Sequence, residues 1–203
     1  MSLNRIDKMK NKLLYKDEMV FCIPANIVEN IDKEFKEEKN IKNTIWSLYD
    51  NKGKYMLRAD VEGLTELYQL IPYITIVNSK YEILSCKSKK SGKISLGFSD
   101  HIRPEECGYN NIVSKACFNI AIKEFGPFVS TPFSFKGYLK TFTDATKGHL
   151  GLWFVAVVDD AYIKDTDVFE YKFMSKKELI DSYGKLEKWS RLVLSYFVET
   201  TEE

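Results

Sequence analysis

Residues 94–126 read ISLGFSDHIRPEECGYNNIVSKACFNIAIKEFG, and this segment carries the most specific pattern in the chain. Its pattern predicts a short strand, a glycine-containing loop, a polar connection and then a helix from about Asn111 to Phe125. Lys123 and Glu124 fall in the last turn of that helix. One side of the helix carries an apolar stripe that predicts burial against a core, formed by Ile112, Val113, Ala116, Cys117, Ile120 and Ala121.

The stretch resembles the catalytic box of the Nudix hydrolases, which runs Gly, five residues, Glu, seven residues, and then Arg-Glu-aliphatic-x-Glu-Glu-x-Gly. The segment SLGFSDHIRPEE resembles the loop of one Nudix branch, in which a Ser-Leu-Gly phrase precedes Gly-Gly-His-Ile. On this alignment the loop glycine of the box falls on Asp100, and His101 and Ile102 match. The first glutamate of the box falls on Glu106.

The helical half of the box is aligned through its closing glycine, here Gly126. The box arginine then falls on Asn119, the next glutamate on Ile120, and the last two glutamates on Lys123 and Glu124. The spacer before Asn119 is five residues longer than the general pattern, so the match requires an insertion. Two of the four acidic positions therefore keep a carboxylate, and the arginine is absent.

The resemblance implies metal-dependent hydrolysis of a diphosphate, in which Mg²⁺ or Mn²⁺ neutralises the substrate and activates a water. Mg²⁺ prefers oxygen ligands in near-octahedral geometry. Positions 120, 123 and 124 share one helical face. The family has three carboxylates on that face, whereas this chain has Ile, Lys and Glu, so the formal charge changes from −3 to 0. We therefore expect little or no metal-dependent turnover.

The candidate site follows from this alignment. If the chain is an active diphosphate hydrolase, the resemblance implies that Glu106 and Glu124 are catalytic and bind Mg²⁺ or Mn²⁺; otherwise we expect no cofactor. Asp100, His101 and Lys123 are candidates for binding the ligand. Asp100 discriminates between these cases, because a carboxylate that points into the cleft would supply a missing metal ligand. Without the resemblance, Lys123 and Glu124 read as a solvated helix face.

Strand and turn patterns flank the box. Ile74–Val77 and Tyr81–Cys86 predict a hairpin around the turn Asn78-Ser79-Lys80. Phe133–Asp144 and His149–Val158 predict a second pair of strands, and the later one is apolar enough to be central.

The C-terminal region predicts one strand and two helices. Asp165–Phe173 reads as the strand, and Ser175 followed by Glu178 is a capping-box signature at a helix start. A closing helix carries Leu186, Trp189, Val193 and Phe197.

Short phrases outside the box also resemble the same Nudix branch and occur in the same order, namely IPY, HLGL and EKWS. The resemblance runs from about Leu70 to Ser195. It implies an α/β fold, a Nudix-like α/β/α sandwich with a mixed, mainly antiparallel sheet. We assign residues 69–203 to a Nudix-like domain with a C-terminal helix.

Residues 1–68 are assigned to an N-terminal extension or edge subdomain. The first 18 or so predict a short basic amphipathic helix, and Met19–Ile27 predicts a strand that ends at Pro24. The phrase LRADVE, residues 57–62, resembles the arginine- and acid-containing end of a segment that precedes the core in the same Nudix branch.

Composition bounds the function. The chain has 203 residues, 44% of them hydrophobic and 29% charged, as in soluble globular proteins. A net charge of +1 gives no reason to expect a nucleic-acid partner. The apolar runs are too short to cross a bilayer, so we expect no membrane partner and a cytoplasmic location. The four cysteines form no CxxC pair and predict neither a zinc site nor a disulfide framework.

Several side chains outside the box have two interpretations. The basic loop Lys87–Lys93 could steer phosphates towards the cleft or form a solvated hairpin exit. His149 is expected to be satisfied at a sheet edge. Phe98, Trp153 and Tyr138 could stack on a nucleobase, although core packing is the default for each.

Three functions remain open. The first is a Nudix-fold protein with a degraded box that binds a nucleotide-like or diphosphate ligand with little or no hydrolysis. The second is an active metal-dependent Nudix hydrolase of a nucleoside diphosphate linked to another group. The third is a non-catalytic protein-interaction module. The expected partner is a small-molecule nucleotide or diphosphate, and a homodimer is compatible with the sequence.

Overall fold

A mixed β-sheet forms the centre of the protein. The computed structural model describes residue 10 and residues 12–28, 35–37, 53–106, 112–125, 132–140, 148–158 and 166–200. Within these residues ten strands pair into one sheet. The strands are β1 (Met19–Pro24), β2 (Phe35–Glu37), β3 (Lys54–Leu57), β4 (Leu67–Val77), β5 (Ile83–Ser88), β6 (Ile94–Ser95), β7 (Phe98–Ser99), β8 (Ser134–Leu139), β9 (His149–Val157) and β10 (Phe169–Met174).

The main path through the sheet runs β10-β5-β4-β9-β8-β2. The two central strands, β4 and β9, are parallel, with Gln69 opposite His149 and Val77 opposite Val157, and the other described pairs are antiparallel. Both central strands are almost continuously apolar, as expected for strands that are covered on both faces. The mixed, mainly antiparallel sheet predicted from the sequence is confirmed.

Helices cover both faces of the sheet. They are α1 (Arg58–Val61), α2 (Ile112–Phe125), α3 (Lys176–Asp181) and α4 (Lys188–Thr200), with 3-10 turns at Ala25–Val28, Pro104–Glu106 and Tyr183–Lys185. On one face, Ala116 and Ile120 of α2 share an apolar cluster with Ile74 of β4. On the other face, Val193 of α4 shares a cluster with Trp153 of β9. None of the described helices is long and apolar enough to cross a membrane.

Several local predictions are confirmed. The strand that begins at Met19 ends at Pro24, and the predicted helix of the 94–126 segment is α2, which spans Ile112–Phe125. The hairpin turns where predicted, because the side chain of Asn78 accepts hydrogen bonds from the backbone N–H groups of Lys80 and Glu82. The capping box is formed, since the Ser175 side chain accepts from the backbone of Glu178 and the Glu178 side chain accepts in return.

Strand β4 is longer than predicted. It begins at Leu67, whereas the predicted segment begins at Ile74. One side of β4 pairs with β9. The other side pairs with β1 up to Gln69 and with β7 from Tyr73, so Pro72 lies in the interval between these two partners.

The strands of the predicted extension lie in the same sheet. β1 pairs with β3 and also with the start of β4. The domain boundary near residue 68 stays a prediction, and most of the predicted N-terminal helix lies outside the described residues.

Candidate functional site

The candidate site is a cleft between α2 and the loop that follows β7. It has a volume of about 210 Å³ and is lined by Asp100, His101, Arg103, Glu105, Glu106, Ala116, Asn119, Ile120 and Lys123. Four of the five residues that the sequence predicted for the site therefore meet there. The fifth, Glu124, is adjacent to Lys123 on α2 and does not line the cleft.

Glu106 holds the loop against the helix. Its side chain accepts a hydrogen bond of 2.7 Å from the backbone N–H of Arg103 and one of 3.1 Å from the side-chain amide of Asn119. Burial raises the pKa of Glu106 above its ordinary value, while these two hydrogen bonds oppose the shift. The alignment placed Glu106 and Asn119 at the first Glu and the Arg of the box, and the structure brings these two positions into contact.

Asp100 is bound by two cations. The Arg103 guanidinium donates to both of its carboxylate oxygens, at 2.9 and 3.0 Å, and the Lys123 ammonium donates at 3.3 Å. The backbone N–H of His101 donates at 2.8 Å. Burial alone would raise the pKa of Asp100, but the hydrogen bond from His101 and the charge of Arg103 outweigh it, so the pKa lies below its ordinary value.

Arg103 has a second acidic neighbour, Glu18. The Glu18 carboxylate lies 3.7 Å from the Arg103 guanidinium and accepts a hydrogen bond of 3.1 Å from Arg58. Arg58 also donates to Glu62 at 2.9 Å. Charges of opposite sign thus alternate from helix α1, through the residue that precedes strand β1, into the cleft.

The same alternation continues towards solvent. Asp100 connects Arg103 to Lys123, and the Lys123 ammonium lies 4.0 Å from the Glu124 carboxylate. The side chain of Asp100 is 18% exposed and that of Lys123 is 64% exposed. The outer end of this chain of charges is therefore open to ligands.

The two histidines of the chain lie edge to face beside this network. Their ring centroids are 5.7 Å apart, both side chains are 11% exposed, and neither Nε2 atom has a hydrogen-bond partner among the described residues. Burial, with the nearby Arg58 charge, lowers the pKa of His101 to about 3. Burial also lowers the pKa of His149. Both imidazoles are therefore neutral near pH 7.

The prediction that His149 is satisfied at a sheet edge is wrong. His149 begins β9, which lies between β4 and β8 inside the sheet. Its Nε2 atom is 3.6 Å from a Glu62 oxygen, too far for a hydrogen bond.

The side chains of the cleft do not fit a divalent cation as they are arranged. Among the described residues, no group of three or more His, Cys, Asp or Glu side chains is placed to hold a metal ion. Asp100 is bound by Arg103 and Lys123, and Glu106 is bound within its own loop and by Asn119. The assignment of Glu106 and Glu124 as metal ligands in an active enzyme stays a prediction.

Arg103, Glu18 and Arg58 are the residues that sequence reasoning missed as neighbours of the site. Arg58 lies within the phrase LRADVE, which the resemblance had singled out without a role. The sequence does contain one signal for the role of Arg103. Asp100 lies three positions before it, and this spacing allows a local ion pair.

The basic loop lies apart from the cleft. Cys86 of β5 packs in the cluster that contains α2, so its neighbour Lys87 points to the opposite face of the sheet and pairs with Glu170 at 2.8 Å. This favours the interpretation of Lys87 as part of a solvated hairpin exit. Phe98, Trp153 and Tyr138 are 6%, 0% and 1% exposed and belong to the core.

A larger cavity of about 410 Å³ lies elsewhere, between the β4–β5 turn and helices α3 and α4. Its walls include the apolar side chains of Ile83, Leu179, Leu194 and Phe197. It contains none of the predicted site residues, so its size does not make it the better candidate.

Comparisons with known proteins identify the fold. No protein-family model matches the chain, and no curated protein matches it in sequence. Among solved structures it is similar to Tm1382, provisionally assigned as a Nudix hydrolase, at 19% identity over 90% of this chain and 100% of that chain, with a TM-score of 0.73.

Two further solved structures are similar at lower coverage. DR0079 from Deinococcus radiodurans matches at 10% identity over 72% of this chain and 92% of that chain, with a TM-score of 0.54. The MutT protein from Methanosarcina mazei Go1 matches at 17% identity over 67% and 96%, with a TM-score of 0.50. The chain therefore has the Nudix fold that its sequence predicted.

Proposed function

We propose that this Nudix-fold protein binds a nucleotide-like small molecule through its diphosphate group, with little or no metal-dependent hydrolysis. The observation that carries the proposal is the position of Lys123. Its ammonium lies on the helix face where the family resemblance implies carboxylates, and it lines the same cleft as Arg103. Two positively charged side chains thus line the cleft. They supply the positive charge that a metal ion would otherwise bring to the diphosphate.

These two cations suit phosphate oxygens. A guanidinium donates two parallel N–H bonds to a carboxylate or a phosphate, as Arg103 already does to Asp100. The ammonium of Lys123 adds a point charge on a flexible stem. A cleft of about 210 Å³ is smaller than typical sites for drug-sized ligands, so it suits a diphosphate, with the attached nucleoside extending beyond it.

Three features argue against turnover. Ile120 replaces one acid of the helix face and is 4% exposed, so it is a core residue. Glu106 is buried and its oxygens accept hydrogen bonds that hold the loop. His101 has a pKa of about 3, far below the range that suits a general base at neutral pH.

The alternative is an active, metal-dependent hydrolase of a nucleoside diphosphate linked to another group. One observation favours it: the carboxylates of Asp100, Glu105 and Glu106 all line the cleft. A metal would then require Asp100 to leave both of its cations. The protein-interaction alternative has less support, because the cleft is open and Lys123 is 64% exposed.

The test is a panel of nucleoside triphosphates, ADP-ribose and dinucleotides, assayed for hydrolysis with Mg²⁺ or Mn²⁺ and for binding by calorimetry in EDTA. We expect binding without turnover. Turnover that disappears in Glu124→Gln would overturn the proposal in favour of the hydrolase. Absence of both binding and turnover in folded protein would favour an interaction module.

A further inference from the structure

We propose that Asp100 is a built-in competitor of the ligand, which binds by displacing the Asp100 carboxylate from Arg103 and Lys123. The inference rests on the proposed diphosphate binding and concerns how that binding is regulated. The resemblance places a glycine at this position, so the competing carboxylate is a departure of this chain from the family pattern.

The geometry makes Asp100 a substitute for an anionic ligand. Both carboxylate oxygens receive guanidinium N–H bonds from Arg103, at 2.9 and 3.0 Å, and one of them also receives the Lys123 ammonium. A phosphate would use the same donors in the same fork. Because the donors converge on one carboxylate, a phosphate and Asp100 cannot occupy them fully at the same time.

The charge balance of the cleft points the same way. Its lining carries two positive side chains, Arg103 and Lys123, and three acidic ones, Asp100, Glu105 and Glu106. An anion that approaches the cleft while Asp100 is paired with both cations therefore meets no net positive charge. When Asp100 moves away from Arg103 and Lys123, their positively charged N–H donors become available to the ligand.

Both cations keep an acidic neighbour when Asp100 leaves. Glu18 lies 3.7 Å from Arg103 and is itself fixed by Arg58, and Glu124 lies 4.0 Å from Lys123. These neighbours lie beyond hydrogen-bond distance of the two cations, so they orient the cations without using up their donors. The exchange then replaces one set of charge-assisted hydrogen bonds with another.

The experiment compares the wild type with Asp100→Asn, an isosteric neutral variant. The dissociation constants of inorganic pyrophosphate and ADP-ribose are measured by calorimetry in EDTA at two salt concentrations. We expect Asp100→Asn to bind both at least tenfold more tightly than the wild type. Asp100→Ser, which retains an oxygen that can accept from the His101 N–H, should show the same change and guards against a folding defect of the first variant.

Glu105→Gln is the matched control. It removes one negative charge from the same cleft, but among the described contacts Glu105 makes no hydrogen bond to Arg103 or Lys123. We expect less than a threefold gain in affinity. Equal gains in both variants would overturn the competitor role, because general charge removal would explain them.

The outcomes separate this inference from the proposed function. If the wild type binds and neutral Asp100 variants bind equally or less tightly, Asp100 does not compete with the ligand, and only the competitor role fails. If folded wild type and variants all fail to bind either probe, the proposed function fails as well.

Discussion

The side-chain amide of Asn119 donates a hydrogen bond of 3.1 Å to the carboxylate of Glu106, from 13 positions further along the chain. This contact joins the cleft loop to α2, and Glu106 is only 5% exposed. Two positions that the sequence alignment places in the same motif are thus physical neighbours.

We expect Glu106→Ala to destabilise the fold by about 1–3 kcal/mol, since it leaves the half-buried Asn119 amide and the Arg103 N–H without this acceptor. Chemical denaturation measures the change. Glu105→Ala, an exposed neighbour in the same turn, should stay within about 0.5 kcal/mol. Equal losses in the two variants would show that the contact has no special role.

Lys123→Glu should create a divalent-cation site. The substitution places a carboxylate at a position where the alignment predicts an acid, and it removes one of the two cations that bind Asp100. We expect the affinity for Mn²⁺, measured by electron paramagnetic resonance, to rise at least tenfold over the wild type. Lys115→Glu makes the same charge change on the same helix away from the cleft lining, and it should leave Mn²⁺ affinity unchanged.

Much of the fold was predictable because the short phrases that carry the resemblance contact one another. The Tyr73 hydroxyl of IPY lies 3.0 Å from the Ser190 hydroxyl of EKWS, and Ser190 also accepts the backbone N–H of Leu96 at 2.9 Å. A Cβ atom on Gly97 of SLG would lie 2.1 Å from the Tyr73 ring, so only glycine fits there. Each of these contacts depends on one residue within a short phrase, so the phrases themselves carry information about the fold.

The charge network of the site was less predictable. The hydrogen bond between Arg58 and Glu18 joins residues 40 positions apart, and no local spacing signals it. The roles of Arg103 and Asp100 likewise depend on how the loop folds against α2. Periodicity reports which side chains are buried, but it does not report which charges will be paired across the fold.

The buried histidines predict acid sensitivity. A histidine with a folded-state pKa below its unfolded value of about 6.5 binds fewer protons when folded, so stability is fully present above pH 6.5 and is lost as the pH falls towards the folded pKa, about 3 for His101. Each proton taken up on unfolding contributes up to about 1.4 kcal/mol per pH unit.

Denaturation midpoints between pH 7.5 and pH 5 test this prediction. That window lies above the range in which Asp100 loses its own contribution, since its pKa is lowered from an ordinary value of 3.8. We expect stability to fall across the window, and to fall less steeply in His101→Gln and His149→Gln. The same slope in both variants and the wild type would exclude the histidines as its cause.

Arg58 links two carboxylates beside the site. Its guanidinium donates to Glu18 and Glu62 and lies 3.9 Å from the centroid of the Tyr15 ring, with the side chain 18% exposed. Arg58→Ala would leave two largely buried carboxylates without their shared cation. We expect a loss of about 2–4 kcal/mol, near the low end for a broken buried ion pair because these groups are partly exposed.

Arg58→Lys separates charge from geometry. Lysine keeps the positive charge but cannot donate to Glu18 and Glu62 in one planar fork, so we expect it to recover only part of the lost stability. Pyrophosphate binding should weaken in both variants, because Glu18 would no longer be held beside Arg103. If Arg58→Ala lowers stability while anion affinity is unchanged, Arg58 supports the fold alone and has no part in positioning the cleft.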